Sequence, residues 1–150
     1  MPEQKWTQTD WDACLRDATG RALVTIGLYI AGEAMIRAQV DTGRLAGSIT
    51  WATNKKKASV GAPATARDAV DSPTDEWTLH VGTAVEYAPH VEYGTRMMGM
   101  RSDIATKRTM RSHAATKAQP YLRPALDDNR NRAQDIYAKA IQGAIRRHGK

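Results

Sequence analysis

The sequence predicts an α+β fold in which a long N-terminal helix and a C-terminal helix flank a small antiparallel sheet. Three observations support this class. An apolar stripe at helical spacing extends over residues 15–40, a second one follows Pro124, and short segments of alternating apolar and polar residues lie between them. A chain of 150 residues has the size of one domain, so we expect a single domain over 1–150.

The first helix is expected to begin at Thr9, a residue type that caps helix N-termini, and to continue for about thirty residues. The segment "DTGR" should end it, because Gly43 favours a left-handed turn and Asp41 precedes it in a turn-forming sequence. A helix of about 45 Å is longer than one small domain needs. Part of it is therefore expected to pack on a neighbouring subunit.

Two segments have the alternation of strands. The first is "SITWATN" (48–54), and the second is "EWTLHVGT", in which Trp77, Leu79 and Val81 are expected to face the core. Residues between them, about 54–75, are rich in Ala, Pro, Asp and Ser and are interpreted as a flexible loop. One further strand pairing near "ASVGA" within this loop is left open.

The segment "VEYAPHVEYGT" cannot be a plain strand, because Pro89 lacks the N–H donor that a sheet ladder needs. A helical turn over "APHVEY", closed by Gly94, is predicted instead. The last helix is predicted to begin at "AQPYLRPAL", where Pro124 occupies a position that the first turn of a helix accepts.

Charge is unevenly distributed along the chain, whose formal net charge is +6. Residues 76–95 contain three acidic side chains, Glu76, Glu86 and Glu92, and no Lys or Arg. Residues 96–118, here called the basic arm, have no helical or strand period and are expected to be a long flexible loop. The arm carries one Asp and six basic side chains: Arg96, Arg101, Lys107, Arg108, Arg111 and Lys117.

Several classes of protein receive no support from the composition. Cys14 is the single cysteine, so an internal disulfide is impossible. No apolar run has the ~18 residues of a membrane helix, and the N-terminus lacks the basic and apolar segments of a signal peptide. We therefore expect a protein without membrane contact that is made and kept in the cytoplasm of the producing cell.

No motif predicts catalysis. The segment "HVE" matches the His-x-Glu half of zinc deaminases, but the Pro-Cys-x-x-Cys that supplies their other ligands does not follow. His80 and His90 are interpreted as ordinary surface or turn histidines. Glu86 and Glu92 flank a turn, and we expect them to be solvated or paired with the basic arm rather than to do acid–base work. We predict no catalytic, metal or cofactor site, and no enzyme.

Three stretches in order carry a family resemblance: "DTGRLAGSIT" (41–50), "VGTAVEYAPHVEYGT" (81–95) and "AQPYLRPAL" (118–126). Together they resemble the small tail-completion, or neck, proteins of long-tailed bacteriophages. The positions that carry the motif are Asp41, Gly43, Tyr87, Pro89, Tyr93, Gly94, Pro120 and Pro124. The resemblance implies that these residues determine the fold and border subunit contacts, and it carries over no catalytic residue.

The resemblance also implies a structural protein of the virion, made in the host cytoplasm and located at the head–tail junction. Such proteins form rings, typically of six copies, that join the head connector or adaptor to the tail tube or tail terminator proteins, or end tube growth. Duplex DNA passes through the lumen. Whether this chain corresponds to the terminator or to the adjacent neck ring stays open.

The basic arm has two interpretations. It can be an assembly arm that meets the acidic residues Glu76, Glu86 and Glu92 of a neighbour across a ring-forming contact. The alternative is a basic protein that binds duplex DNA without sequence specificity, through phosphate contacts of the arm. Aromatic residues for base stacking are absent from residues 96–118, which argues against recognition of single strands. We prefer assembly first and DNA contact second.

Overall fold

The computed structural model describes residues 6–38, 43–59, 68–95 and 115–149. It confirms the α+β class, with a long N-terminal helix, a three-stranded antiparallel sheet and C-terminal helices. The elements in chain order are α1 (Gln8–Arg37), α2 (Arg44–Ser48), β1 (Thr50–Ala52), β2 (Lys57–Ser59), β3 (His80–Gly82), α3 (Ala88–Tyr93), α4 (Leu122–Asp128) and α5 (Arg130–His148). None of the helices in these ranges is both long enough and apolar enough to cross a membrane.

Helix α1 has 30 residues, which confirms the expected length, but its N-cap is Thr7 and not Thr9. The Thr7 hydroxyl accepts the backbone N–H of Asp10, and the Asp10 carboxylate accepts the backbone N–H of Thr7 at 2.9 Å. Trp6 comes directly before this capping box and Trp11 directly after it, and their ring centroids lie 4.7 Å apart. The aromatic pair corresponds to a hydrophobic staple, which explains why the earlier threonine is used.

The end of α1 also differs from the prediction. The helix stops at Arg37, and the N–H of Ala38 bonds to the Ala34 carbonyl at 2.8 Å. Gly43 does have the expected left-handed backbone, with φ of 74°, but it serves as the N-cap residue of α2. Asp41 lies outside the described residues.

Strand β1 is the middle strand, with β2 and β3 antiparallel on either side. Within β1, Thr50 is opposite Ser59 and Gly82. The strand near "ASVGA" is thus confirmed as β2, which places order inside the predicted loop 54–75. A later part of the same loop contacts the sheet, since the N–H of Val70 donates to Thr50 Oγ1 of β1 at 3.0 Å.

The interpretation of "EWTLHVGT" is correct in part. Leu79 and Val81 pack against the main core, as expected. Trp77 is 54% exposed, so its predicted inward orientation was wrong. The reason is local: the N–H of Trp77 bonds to Asp75 Oδ1 at 2.9 Å in a turn that precedes the strand. The alternation begins only after this turn.

The main core lies between the C-terminal half of α1, the sheet, α3 and α4. Its buried members include Ile30, Leu45, Trp51, Val85 and Tyr121. A second, smaller cluster holds Cys14, Ala18 and Ala144, where α1 and α5 approach through small side chains. The N-terminal half of α1 therefore packs on α5 of its own chain.

The last helix is divided, whereas the sequence predicted one continuous helix. Helices α4 and α5 meet at Asn129, whose side-chain amide donates to the Ala125 carbonyl at 2.9 Å. Arg37 at the end of α1 lies 3.0 Å from Asp128 at the end of α4, so the break lies next to the C-terminus of α1.

Candidate functional site

The connection between α3 and α4 is made by one buried carboxylate. Glu92 is 7% exposed, and its Oε2 accepts the backbone N–H groups of Tyr121 at 2.8 Å and Leu122 at 3.0 Å. Its Oε1 accepts the N–H of Arg123 at 3.1 Å. These N–H groups belong to the first turn of α4, which has no side-chain cap of its own. A residue of α3 therefore caps a helix that begins 30 residues later in the chain.

The electrostatics of Glu92 follow from this geometry. Burial raises the pKa of the carboxyl, but the three backbone donors and the charge of Arg123 lower it by more, so the pKa of Glu92 lies below its ordinary value of 4.5.

The neighbouring Tyr121 is fully buried, and its hydroxyl has no hydrogen-bond partner among the described residues. Burial, then the charges of Glu92 and Tyr87, raise the pKa of Tyr121 to about 12.

Immediately after α3, the backbone forms a clamp that joins the two ends of the basic arm. The N–H of Thr95 donates to the Thr116 carbonyl at 3.0 Å, and the N–H of Thr116 donates to Thr95 Oγ1 at 2.9 Å. The N–H of Gln119 donates to the Val91 carbonyl at 2.8 Å. The chain therefore leaves the body and returns to it at one place.

Gly94 is the residue that permits the close approach at the clamp. Its φ is 75°, and it ends α3 as the sequence predicted. A Cβ atom at this position would lie 2.7 Å from the Thr116 carbonyl oxygen and 2.8 Å from the Ala118 nitrogen. Both atoms are backbone, so they cannot rotate away, and the clamp requires glycine.

Most of the predicted arm residues lie outside the described part of the chain, namely Arg96, Arg101, Lys107, Arg108 and Arg111. Lys117 is described and is exposed on the extended return of the arm. The described residues contain fourteen Lys or Arg and thirteen Asp or Glu, so this part of the chain is nearly neutral. The net charge of the protein therefore comes mainly from residues that include 96–114.

The structure separates the three predicted acidic residues. Glu86 is exposed, as an acidic partner surface requires. Glu76 is half-buried and lies 3.7 Å from both Arg16 and Lys55, so it already has cationic neighbours. The assignment of Glu92 to an exposed acidic surface was wrong, because its carboxylate is buried and holds the N-terminus of α4.

The other motif residues lie at the ends of helices. Tyr87 is the N-cap residue of α3, and Pro89 lies in the first turn of that helix. Pro120 is exposed in the extended segment before α4, and Pro124 lies in the first turn of α4, as predicted. Tyr93, the last residue of α3, is 71% exposed, which is a large exposure for an aromatic side chain.

An open cleft lies between α3, β3 and α4, directly beside the clamp. Its volume is about 490 Å³, and its lining includes Leu79, Val81, Pro89, Tyr93, Leu122 and Leu126. Leu126 is 51% exposed, so the cleft and its rim present apolar surface to solvent. These exposed apolar side chains lie next to the clamp that joins the ends of the basic arm.

The three stretches that carry the family resemblance pack against one another. Ser48 Oγ of the first stretch lies 2.7 Å from Thr83 Oγ1 of the second. The second is joined to the third through Glu92 and the first turn of α4. All three contribute buried side chains to the main core: Leu45 and Ile49, Val85 and Ala88, and Tyr121 and Ala125.

The histidines have ordinary surroundings. His80 Nδ1 lies 2.8 Å from the Asp71 carbonyl oxygen, and His90 is exposed in α3. Within the described ranges, no group of three or more His, Cys, Asp or Glu side chains is arranged to hold a metal ion.

Sequence reasoning missed two features of this site. The clamp joins Thr95 to Thr116 across the arm, and nothing local in the sequence marks either threonine. The capping role of Glu92 was also missed, although an acidic residue in a helical turn before a helix without its own cap is a usable signal. No protein-family model, curated protein or solved structure matches the chain at a significant level.

Proposed function

We propose that this chain is a non-enzymatic structural protein of a long-tailed bacteriophage virion that forms a closed ring at the head–tail junction. The observation that carries the proposal is the packing of the three resembling stretches into one unit around Glu92 and the main core. Contact between the three stretches is what a shared structural motif requires. Their position at helix ends and in the core supports their interpretation as fold determinants.

The basic arm is the element proposed to make the assembly contact. Its ends are held together by Thr95 and Thr116, and the apolar cleft with Tyr93 and Leu126 lies beside them. A basic segment next to exposed apolar groups provides both charge and apolar area for a heterologous contact, in which different surfaces of neighbouring copies meet. Repetition of such a contact closes a ring, for which the resemblance implies six copies.

The first experiment measures mass. Native mass spectrometry and sedimentation of the purified protein over a range of concentrations should show a ring, and purified particles should contain the chain. The head connector and tail tube or terminator proteins are the expected neighbours. A strict monomer at high concentration, together with absence from particles, would overturn the proposal.

A second experiment uses the clamp. Because Thr95 and Thr116 are already hydrogen-bonded, residues 96–114 can be replaced by a short Gly-Ser linker without moving the body. We expect the free energy of unfolding to stay within about 1 kcal/mol, since loop-closure entropy changes slowly with length, and ring assembly to be abolished. A matched control exchanges the exposed Lys139 and Arg146 of α5 for Gln. Unchanged assembly in the arm variant would contradict the assigned role of the arm.

The second candidate function is duplex DNA binding without sequence specificity, and the concentration of charge in the arm favours it. It predicts an affinity that falls steeply with salt. Exchange of Arg101, Lys107, Arg108 and Arg111 for Gln should then weaken binding and lower the salt slope by about 0.9 for each phosphate that is no longer neutralised. If the variant binds duplex DNA as tightly as the parent, DNA binding through the arm is contradicted.

A further inference from the structure

A second open cleft lies on the body, on a surface lined by α1 and by the turn between β1 and β2. Its volume is about 680 Å³. One wall is α1, with Arg16 and Arg21, and the other is the turn, with Lys55 and Lys56. Four cationic side chains from separate elements therefore line one cleft, and all are described residues outside the basic arm.

The turn that carries the lysines is held in one conformation. The N–H of Thr53 donates to the Lys56 carbonyl at 2.7 Å, and the N–H of Lys56 donates to Thr53 Oγ1 at 3.0 Å. Strand pairing begins on both sides of it, at Ala52 and Lys57. The hairpin therefore presents its lysines from a fixed backbone, and little chain entropy has to be given up when an anion binds.

Glu76 shows that the two walls converge on one anionic group. Its Oε1 lies 3.7 Å from Arg16 Nη1, and its Oε2 lies 3.7 Å from Lys55 Nζ. The two cations, one from each wall, thus lie on either side of a single carboxylate. Both pairs are long and their cations are mostly exposed, so each contributes little to stability. A polyanion whose neighbouring groups also contact the other cations of the cleft can compete for the same position.

The remaining acidic residue of the cleft is already neutralised by other contacts. Asp17 accepts from Arg21 at 2.7 Å and from Arg147 of α5 at 2.7 Å. Lys56 forms no ion pair with any carboxylate of the described chain. The cleft therefore retains an excess of positive charge after its internal pairs are formed.

We infer that this cationic cleft binds the phosphate backbone of duplex DNA, and that Glu76 weakens this binding by occupying the position between Arg16 and Lys55. Lysine binds phosphate as a point charge, and arginine binds it through paired donors. None of the described residues that line the cleft is aromatic, so they offer no platform for the stacked bases of a single strand. The apolar core that characterises protein interfaces is also small here, consisting of Leu23 and Val24.

The inference does not depend on ring formation and uses none of the arm residues. It assigns a DNA contact to α1 and the turn between β1 and β2, and the carboxylate of Glu76 lowers the affinity of that contact.

The test is fluorescence anisotropy of a labelled 30-base-pair duplex, about three helical turns, with the full chain at several salt concentrations. Lys55→Gln with Lys56→Gln should weaken binding and lower the salt slope by about 1 for each phosphate that the cleft no longer neutralises. Glu76→Gln should strengthen binding. The matched control, Lys139→Gln with Arg146→Gln, changes the same charge on α5 and should leave the slope within about 0.5 of the parent, since neither residue lines the cleft.

Three results would overturn the inference. The first is no binding of the duplex by the parent chain at low salt. The second is equal effects of the cleft and control variants, which would indicate net charge alone. The third is a Lys55→Gln, Lys56→Gln variant that binds the duplex as the parent does but no longer captures a poly-glutamate peptide that the parent captures, which would assign the cleft to an acidic protein. Thermal unfolding of each variant excludes misfolding, and the mass experiment above reports on the ring separately.

Discussion

The carboxylate of Glu92 accepts the backbone N–H of Tyr121 at 2.8 Å, and the two residues are 29 positions apart in the chain. Helix caps are usually local, with the capping side chain within three residues of the N–H that it accepts. Here the cap is tertiary, so α4 has its N-terminal N–H groups satisfied only when α3 is in place. In the sequence, the basic arm lies between these two residues.

Removing the Glu92 carboxylate should destabilise the fold. Glu92→Ala leaves three N–H groups of the α4 turn without their acceptor, and we expect a decrease of about 2–3 kcal/mol in the free energy of unfolding. Glu92→Gln keeps one acceptor oxygen and should decrease it by about 1 kcal/mol. Urea denaturation measures both. The exposed Glu86→Gln is the matched control and should change stability by less than about 0.5 kcal/mol; equal effects at both positions would contradict the capping role.

The contribution of Glu92 should depend on pH in a defined window. Its folded-state pKa is lowered below the ordinary 4.5, so the stabilisation is present above that value and is lost as the pH falls through the folded pKa. The stability gap between the parent chain and Glu92→Gln should therefore narrow below pH 4.5. Asp17 also has a lowered pKa, from Arg21 and Arg147, and it affects both chains equally. A gap that stays constant in acid would contradict the prediction.

Two glycine substitutions should have opposite signs. At Gly94, the positive φ and the contacts of a new Cβ with the Thr116 and Ala118 backbone predict that Ala destabilises by about 1–3 kcal/mol. Gly20 lies inside α1, and a Cβ there has no described heavy atom within 4 Å outside the helix itself. Gly20→Ala should therefore stabilise by about 0.5–1 kcal/mol. Thermal unfolding of both variants tests the pair, and a shift of the same sign in both would refute the explanation.

The buried hydroxyl of Tyr121 is expected to add nothing to stability near neutral pH. Tyr121→Phe removes a polar group that has no partner among the described residues, so stability should stay the same or rise by up to about 1 kcal/mol. Tyr93→Phe, on the exposed end of α3, is the control. A clear decrease in Tyr121→Phe alone would show that the hydroxyl is bonded in solution, for example to a buried water.

The same tyrosine gives a prediction at high pH. Its pKa is raised to about 12, so the folded chain holds this proton more tightly than the unfolded chain, and the free energy of unfolding should fall as the pH rises from the ordinary value of 10.0 through the folded pKa. Ultraviolet titration should show one tyrosine that ionises last, and this step should be absent from Tyr121→Phe. Its presence in the variant would assign the late step to another residue.

The elements that the sequence predicted well are those controlled by neighbours in the chain. The 30-residue length of α1 follows from one periodic stripe, the start of α3 follows from Pro89, and its end follows from the requirement for a positive φ at Gly94. The Thr7 cap was missed because both Thr7 and Thr9 are followed three residues later by Asp. Only the contact of Trp6 with Trp11 distinguishes the two registers.

The features that could not be predicted depend on contacts between distant segments or on a turn that interrupts a pattern. The cap by Glu92, the clamp between Thr95 and Thr116 and the break of the last helix at Asn129 require the tertiary arrangement. Trp77 shares the alternation of Leu79 and Val81 but precedes the strand, in a turn set by Asp75. The cationic cleft was missed for the same reason, since Arg16 and Lys55 meet only after folding.

The hydrogen bonds between Thr95 and Thr116 make the intervening segment an exchangeable cassette. Because its ends are fixed to the body, the cassette can gain, lose or replace residues at a cost that grows only with the logarithm of its length. The segment can therefore be exchanged alone, while the framework that holds it is preserved. The same property makes it a site for inserting an epitope or a reporter peptide without redesigning the rest of the protein.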